Sequence, residues 1–300
     1  MSAQFGPFLE KIIQLALWMT IIVAAFVPLE RLFAVHPHRV LRKGFWTDLG
    51  YYFLNGLTIS TLLSVPASLL GWGVHQLIPA SFLEMMGNLP LWARMSLGLV
   101  AGEIGYYWAH RFSHEIPFLW RFHAIHHSAE EVDFLTNSRA HPVDMVFSRF
   151  CGILPLYVLG LGGPLNLEGS VVPIAVTLFG TLWGFFIHAN VKWRFGPLEW
   201  LISTPAFHHW HHTKSGPINR NYSSTLPWLD KLFGTLYLPN QFPDDYGIKG
   251  PMPDHLIDQL VHPLFPPPAR KAPAVPALEE PPGPQETAEE EAAHAEAIAG

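Results

Sequence analysis

Cysteine is all but absent from the chain. The one residue, Cys151, sits in an apolar run and offers neither a disulfide framework nor a thiolate metal site. Any bound metal must therefore rest on nitrogen and oxygen ligands. Charge is scarce as well. Asp, Glu, Lys and Arg make up 14% of the 300 residues, against roughly 25% in ordinary soluble domains. There is no Lys/Arg run of the kind that tracks nucleic acid, so no nucleic-acid partner is expected. His-Glu-x-x-His is missing too, which removes the usual sign of a zinc-dependent hydrolase with a metal-adjacent base. The N-terminal apolar run has no basic segment before it, only Glu10 and Lys11, and Ile12–Pro28 is long for a signal peptide. It reads as a retained span.

What the chain has instead is long uncharged stretches: 12–29, 49–83, 150–167 and 169–187. A membrane-crossing helix needs about 20 mostly apolar residues. The expected fold is all-α, a polytopic integral membrane helical bundle of about four to five segments in hairpins, with a His-rich helical cap. The segments are Ile12–Pro28, Leu49–Ile78 with Pro66 inside, Leu91–Ala109, Met145–Gly160 and Ser170–Ile187, with short turns at Pro79–Pro90 and Gly162-Gly163-Pro164. Arg31, Arg39, Arg42 and Lys43 follow the first segment and place that loop in the cytoplasm. The later segments then return as two hairpins, at His110 and at His188, so the cap lies on the cytoplasmic face. Residues 1–262 form the membrane-bound unit. Residues 263–300 are rich in Pro, Ala and Glu and are expected to be disordered.

Histidine is the abundant chemistry. His110 and His114 are four apart, as are His123 and His127, with His126 three from His123. His208, His211 and His212 repeat the three-plus-one spacing. Residues three and four apart share a helical face. Neighbours such as His126 and His127 point about 100° apart and can serve two adjacent metals. His188 ends the last apolar segment, where it can drop into the same pocket. Neutral imidazole suits iron, copper, nickel and zinc alike. Glu103, an ionisable residue inside an apolar segment, lies seven residues before His110 and is a candidate to orient a ligand imidazole. His141, Asn190 and Asp230 are weaker supporting candidates, and so is Asp144. His209 is expected to point elsewhere or to support the ligands from behind. His36, His38, His75, His255, His262 and His294 are read as ordinary.

The set His110-x3-His114, His123-x2-His126-His127 and His208-x2-His211-His212 resembles the fatty acid hydroxylase superfamily of sterol desaturases and membrane-bound lipid hydroxylases. Asn221-Tyr222, Trp228–Thr235 and Arg139-Ala140-His141-Pro142 add to the match, which covers about residues 90–240. The resemblance implies that these eight histidines and His188 hold two iron ions, with dioxygen as co-substrate. Some members carry a further histidine shortly after the one matching His188, where this chain has Asn190 and Lys192. It further implies an oxidoreductase that hydroxylates or desaturates a C–H bond of a sterol-like or fatty-acyl lipid. No fused electron carrier is apparent, so a separate donor of ferredoxin, cytochrome or reductase type is expected. The alternatives are a zinc-dependent membrane hydrolase and a His-rich metal transporter. The second needs ligands along a mid-membrane path, whereas these histidines gather at one end of the apolar segments.

Overall fold

The computed structural model describes residues 2–162 and 167–265. Among them there is no β-strand, and one isolated bridge joins Thr213 to Tyr246. Ten α-helices follow in order: α1 Ser2–Phe33, α2 Phe45–Leu77, α3 Ala80–Gly87, α4 Leu91–Glu115, α5 Pro117–His127, α6 Pro142–Val158, α7 Leu167–His188, α8 Pro205–His211, α9 Trp228–Leu232 and α10 Leu256–Val261. The stretch read as a turn at Pro79–Pro90 holds the two-turn helix α3. The expected Gly162-Gly163-Pro164 turn falls in part outside the described residues, as does the Pro/Glu-rich tail beyond Phe265.

Three helices, α1, α2 and α7, are long and apolar enough to cross a membrane. The expectation was four to five segments. α4 interrupts its apolar face with Arg94, Glu103 and Arg111, and α6 has only 17 residues. These two pack backbone to backbone. A Cβ at Gly105 would sit 2.1 Å from the carbonyl oxygen of Cys151, so only glycine permits this approach. α1 and α2 instead turn Leu9, Ile13, Leu17, Leu62, Val65, Leu69 and Trp72 outward. An apolar surface of that length suits lipid rather than water.

The ends of the elements converge on one side of the bundle. The carbonyl of Phe33, at the end of α1, accepts from the Lys192 amide just past α7 at 2.8 Å. α2 begins at Gly44, whose φ of 82° favours glycine, and where a Cβ would collide with the Arg139 guanidinium. α5, α6 and α8 each start with proline in the first turn, which sets φ for a sharp helix entry. The histidine-bearing segments thus leave the long helices at a common level.

A candidate metal centre

Helical spacing and end position together bring the nine histidines into two groups. His110, His114, His123, His127 and His211 form one; His126, His188, His208 and His212 form the other. Within each group the ligand nitrogens lie within 4.8 Å of one another. α5 serves both groups, because His126 and His127 diverge around the helix. The end of α8 does the same with His211, its last residue, and His212, which follows it.

The hydrogen bonds fix which nitrogen of each ring faces inward. His110 Nδ1 donates to the Tyr222 carbonyl at 2.6 Å, and His123 Nδ1 pairs with Asp144 Oδ2 at 2.9 Å. His126 Nδ1 donates to the Arg139 carbonyl at 3.0 Å and His188 Nδ1 to the Gly184 carbonyl at 2.7 Å. A carbonyl can only accept, so in these rings the proton sits on Nδ1 and Nε2 carries a lone pair. Yet His126 Nε2 and His188 Nε2 lie 3.2 Å apart, and His110 Nε2 and His123 Nε2 lie 3.1 Å apart. Lone pair faces lone pair in both groups. Such contacts are repulsive unless a cation sits between them. Nε2 of His114 and of His211 is buried with no protein partner at all. This donor set fits two imidazole-bound metal ions, with His110, His114, His123, His126, His188 and His211 held from behind by an acceptor and the Nδ1 atoms of His208 and His212 left without one among the described residues. Burial pushes the His126 imidazole down to about 3 and holds His127, His211 and His212 well below the usual range, so they stay neutral and able to ligate.

Each group has its own outer support. The loop 219–222 orients three rings of the five-histidine group: Asn219 Oδ1 takes His114 Nδ1 at 3.2 Å, the Arg220 carbonyl takes His211 at 2.8 Å, and Tyr222 takes His110. Asn219 and Asn221 adopt left-handed conformations that asparagine tolerates. Two buried acids clamp the segment 222–226. Asp230 accepts from the Tyr222 and Ser223 amides at 2.7 and 2.9 Å, and Glu103 from the Thr225 amide at 2.7 Å and the Ser224 hydroxyl at 2.9 Å. In the four-histidine group His126 rests instead on Arg139. Its guanidinium is bound to Asp48, and Asp48 and Asp133 share Arg42, with Arg42 Nε 2.7 Å from Asp133 Oδ2. All four side chains are buried.

Of the supporting candidates, only Asp144 touches a ligand. Burial raises its carboxyl, but the hydrogen-bonded His123 together with His126 and His110 overcomes that and holds it below the ordinary range. Glu103 and Asp230 act through backbone. His141 caps α6, with Nδ1 accepting from the Val143 amide and Nε2 facing the Leu260 carbonyl. Asn190 receives the Val35 and His36 amides, away from the centre. His209 spends both nitrogens on Tyr246 and the Ala189 carbonyl. The acceptor carbonyls and the Arg42–Asp133 pair went unread in the sequence. A backbone carbonyl leaves no trace in residue type, and Arg42 counted only as a loop charge.

A cavity of about 460 Å³ opens onto the centre. His123, His126, His188 and His208 line it, and Leu15, Ile59, Leu99, Leu156, Val176 and Phe185 are among its apolar walls.

Residues 95–235 match the family model described as fatty acid hydroxylase. An ornithine lipid hydroxylase of Rhizobium tropici is 40% identical over 177 residues, 58% of this chain and 51% of the relative. Alkylglycerol monooxygenases of Danio rerio and Homo sapiens are 34% and 33% identical, over 52% and 51% of this chain and 33% of each relative. The chain thus spans about half the length of these curated relatives or less. No solved structure matches it. The stretch that supplies every candidate ligand is also the stretch that matches the fatty acid hydroxylase family model.

Proposed function

We propose that the chain is a membrane-bound, dioxygen-dependent oxidoreductase that hydroxylates, or desaturates, a C–H bond of a lipid, with two iron ions held by the nine histidines. The facing lone pairs within each group carry the metal assignment. The apolar cavity ending on four of those histidines supports a lipid substrate, as do the activities for which the relatives are named. Bound iron supplies reductive activation of dioxygen. The chain's own residues do the rest. Asp144 and the loop 219–222 keep the imidazoles in the ligating tautomer, and the cavity walls exclude water and present the chain to the centre. Electrons come from a separate donor. A cation of another kind, zinc above all, is disfavoured by the chemistry of the relatives rather than by the donors themselves.

Protein prepared without oxygen should carry about two iron atoms per chain by elemental analysis. His126→Ala combined with His211→Ala should remove most of that metal, since each deletes one ligand from a different group. An unchanged stoichiometry in that double variant would overturn the dinuclear reading. Mass spectrometry of lipids from deletion and overexpressing cells should then show a species that gains one oxygen or loses two hydrogens, in step with the gene.

We further propose that α4 and α6 complete four to five membrane segments and that the histidine cap faces the cytoplasm. With Cys151 replaced by serine, single cysteines at the exposed positions Arg121 and Ile218 should resist an impermeant thiol reagent in intact cells and react after lysis. Equal labelling before and after lysis would reverse the orientation.

A further inference from the structure

The cavity holds more charge than an alkyl chain requires. Two acids line it, and both are committed to the protein: Asp144 to His123 and Ser113, and Glu103 to the 224–226 backbone. Two cations line it as well. Lys11 lies well along α1 from Ile22, by roughly 16 Å of helix rise, and donates to Ser60 Oγ at 3.2 Å. Arg149 is the other. It is half-buried on α6, and among the described residues no carboxylate lies within salt-bridge distance of it. Its Cα is five residues past Asp144, about 7–8 Å along the helix from the residue that holds His123. A guanidinium in an apolar cavity at membrane depth is costly without a counter-charge, and a cation in that setting marks a functional site.

We propose that Arg149 anchors the anionic group of the lipid, a carboxylate or a phosphate, and so fixes how far from that group the attacked carbon lies. The proposal deepens the lipid-oxidation reading and rests on it for the identity of the cavity. A guanidinium offers paired donors that match either anion, where Lys11 offers a point charge. The carbon within reach of the centre then lies close to the polar group, not at the far end of the chain.

The test is equilibrium dialysis of labelled hexadecanoate, hexadecyl phosphate and hexadecan-1-ol against the full-length protein in neutral detergent. At least one of the two anions should bind about tenfold or more tightly than the alcohol, the step expected of one charge-assisted pair. Comparing the two anions tells carboxylate from phosphate. Arg149→Gln should bring the anion to the level of the alcohol while alcohol binding is kept, which also shows that the fold survives. Arg149→Lys should retain a preference, and Lys11→Gln should leave it whole. An absent preference in the native protein, its survival in Arg149→Gln, its loss in Arg149→Lys or its transfer to Lys11 would each overturn the proposal. Binding is read without turnover. A preserved preference in protein that oxidises no lipid would count against the reaction and leave the anchor standing.

Discussion

Asp48→Asn is expected to destabilise the protein by about 3–5 kcal/mol, the usual penalty for removing one partner from a buried ion pair. Asp48 receives Arg42 on one oxygen and Arg139 on the other, and with Asp133 the four side chains sum to zero charge. Asparagine removes the negative charge and leaves an uncompensated positive one in a site that excludes water. The damage should run in a definite direction. Arg139 presents its carbonyl to His126 Nδ1, so loosening its guanidinium frees a ring of the four-histidine group. Thermal melts in detergent should drop sharply, and whatever protein survives should lose metal from that group first, leaving close to half the native content. A melt shifted by less than the equivalent of about 1 kcal/mol would show that the quartet is a surface-like network worth little.

Asp230→Asn should strike the other group. The carboxylate takes the Tyr222 and Ser223 amides on separate oxygens and the Thr235 hydroxyl besides. An amide side chain has one acceptor oxygen, so a buried amide is orphaned and the remaining bonds lose their charge assistance, a loss of about 2–3 kcal/mol. The Tyr222 carbonyl then shifts under His110, while Arg220 and Asn219, in the same loop, support His211 and His114. Metal content should again fall by about half. The residual metal should now survive His211→Ala and be abolished by His126→Ala. For Asp48→Asn the dependence should invert. If both variants lose metal in the same pattern, the two supports are not independent.

The sequence made the candidate histidines legible and hid what holds them in place. Histidine spacing on a helix is a property of residue order, and the ends of apolar runs set the depth at which the rings emerge. So the nine candidates could be named and were found together. Glu103 shows where such reading stops. Seven residues place it on the face of His110 but two turns away, too far to touch the ring. The gap is filled by residues 222–226, a segment with no regular pattern, far along the chain from Glu103, that Asp230 holds from just beyond its end. α3 was missed because a short stretch between Pro79 and Pro90 looks like a turn. Arg42 was misjudged for a different reason. A charge beside a membrane segment counts towards orientation whether or not an acid meets it in the fold, and here two do.

The division of ligands has a consequence for how such a chain matures. The five-histidine group draws four rings from α4 and α5 and one, His211, from α8. The four-histidine group draws one, His126, from α5 and the rest from α7 and α8. An ion held by either group would therefore act as a cross-link between an early and a late stretch of the chain, closing a long loop much as a disulfide does in secreted proteins. In a chain with a single cysteine, these are the reversible staples available. Neither could close until α8 had been made, so metal capture, on the proposed reading, would come as the last folding step. A cell short of the metal would then accumulate inserted helices whose two halves are not yet fastened.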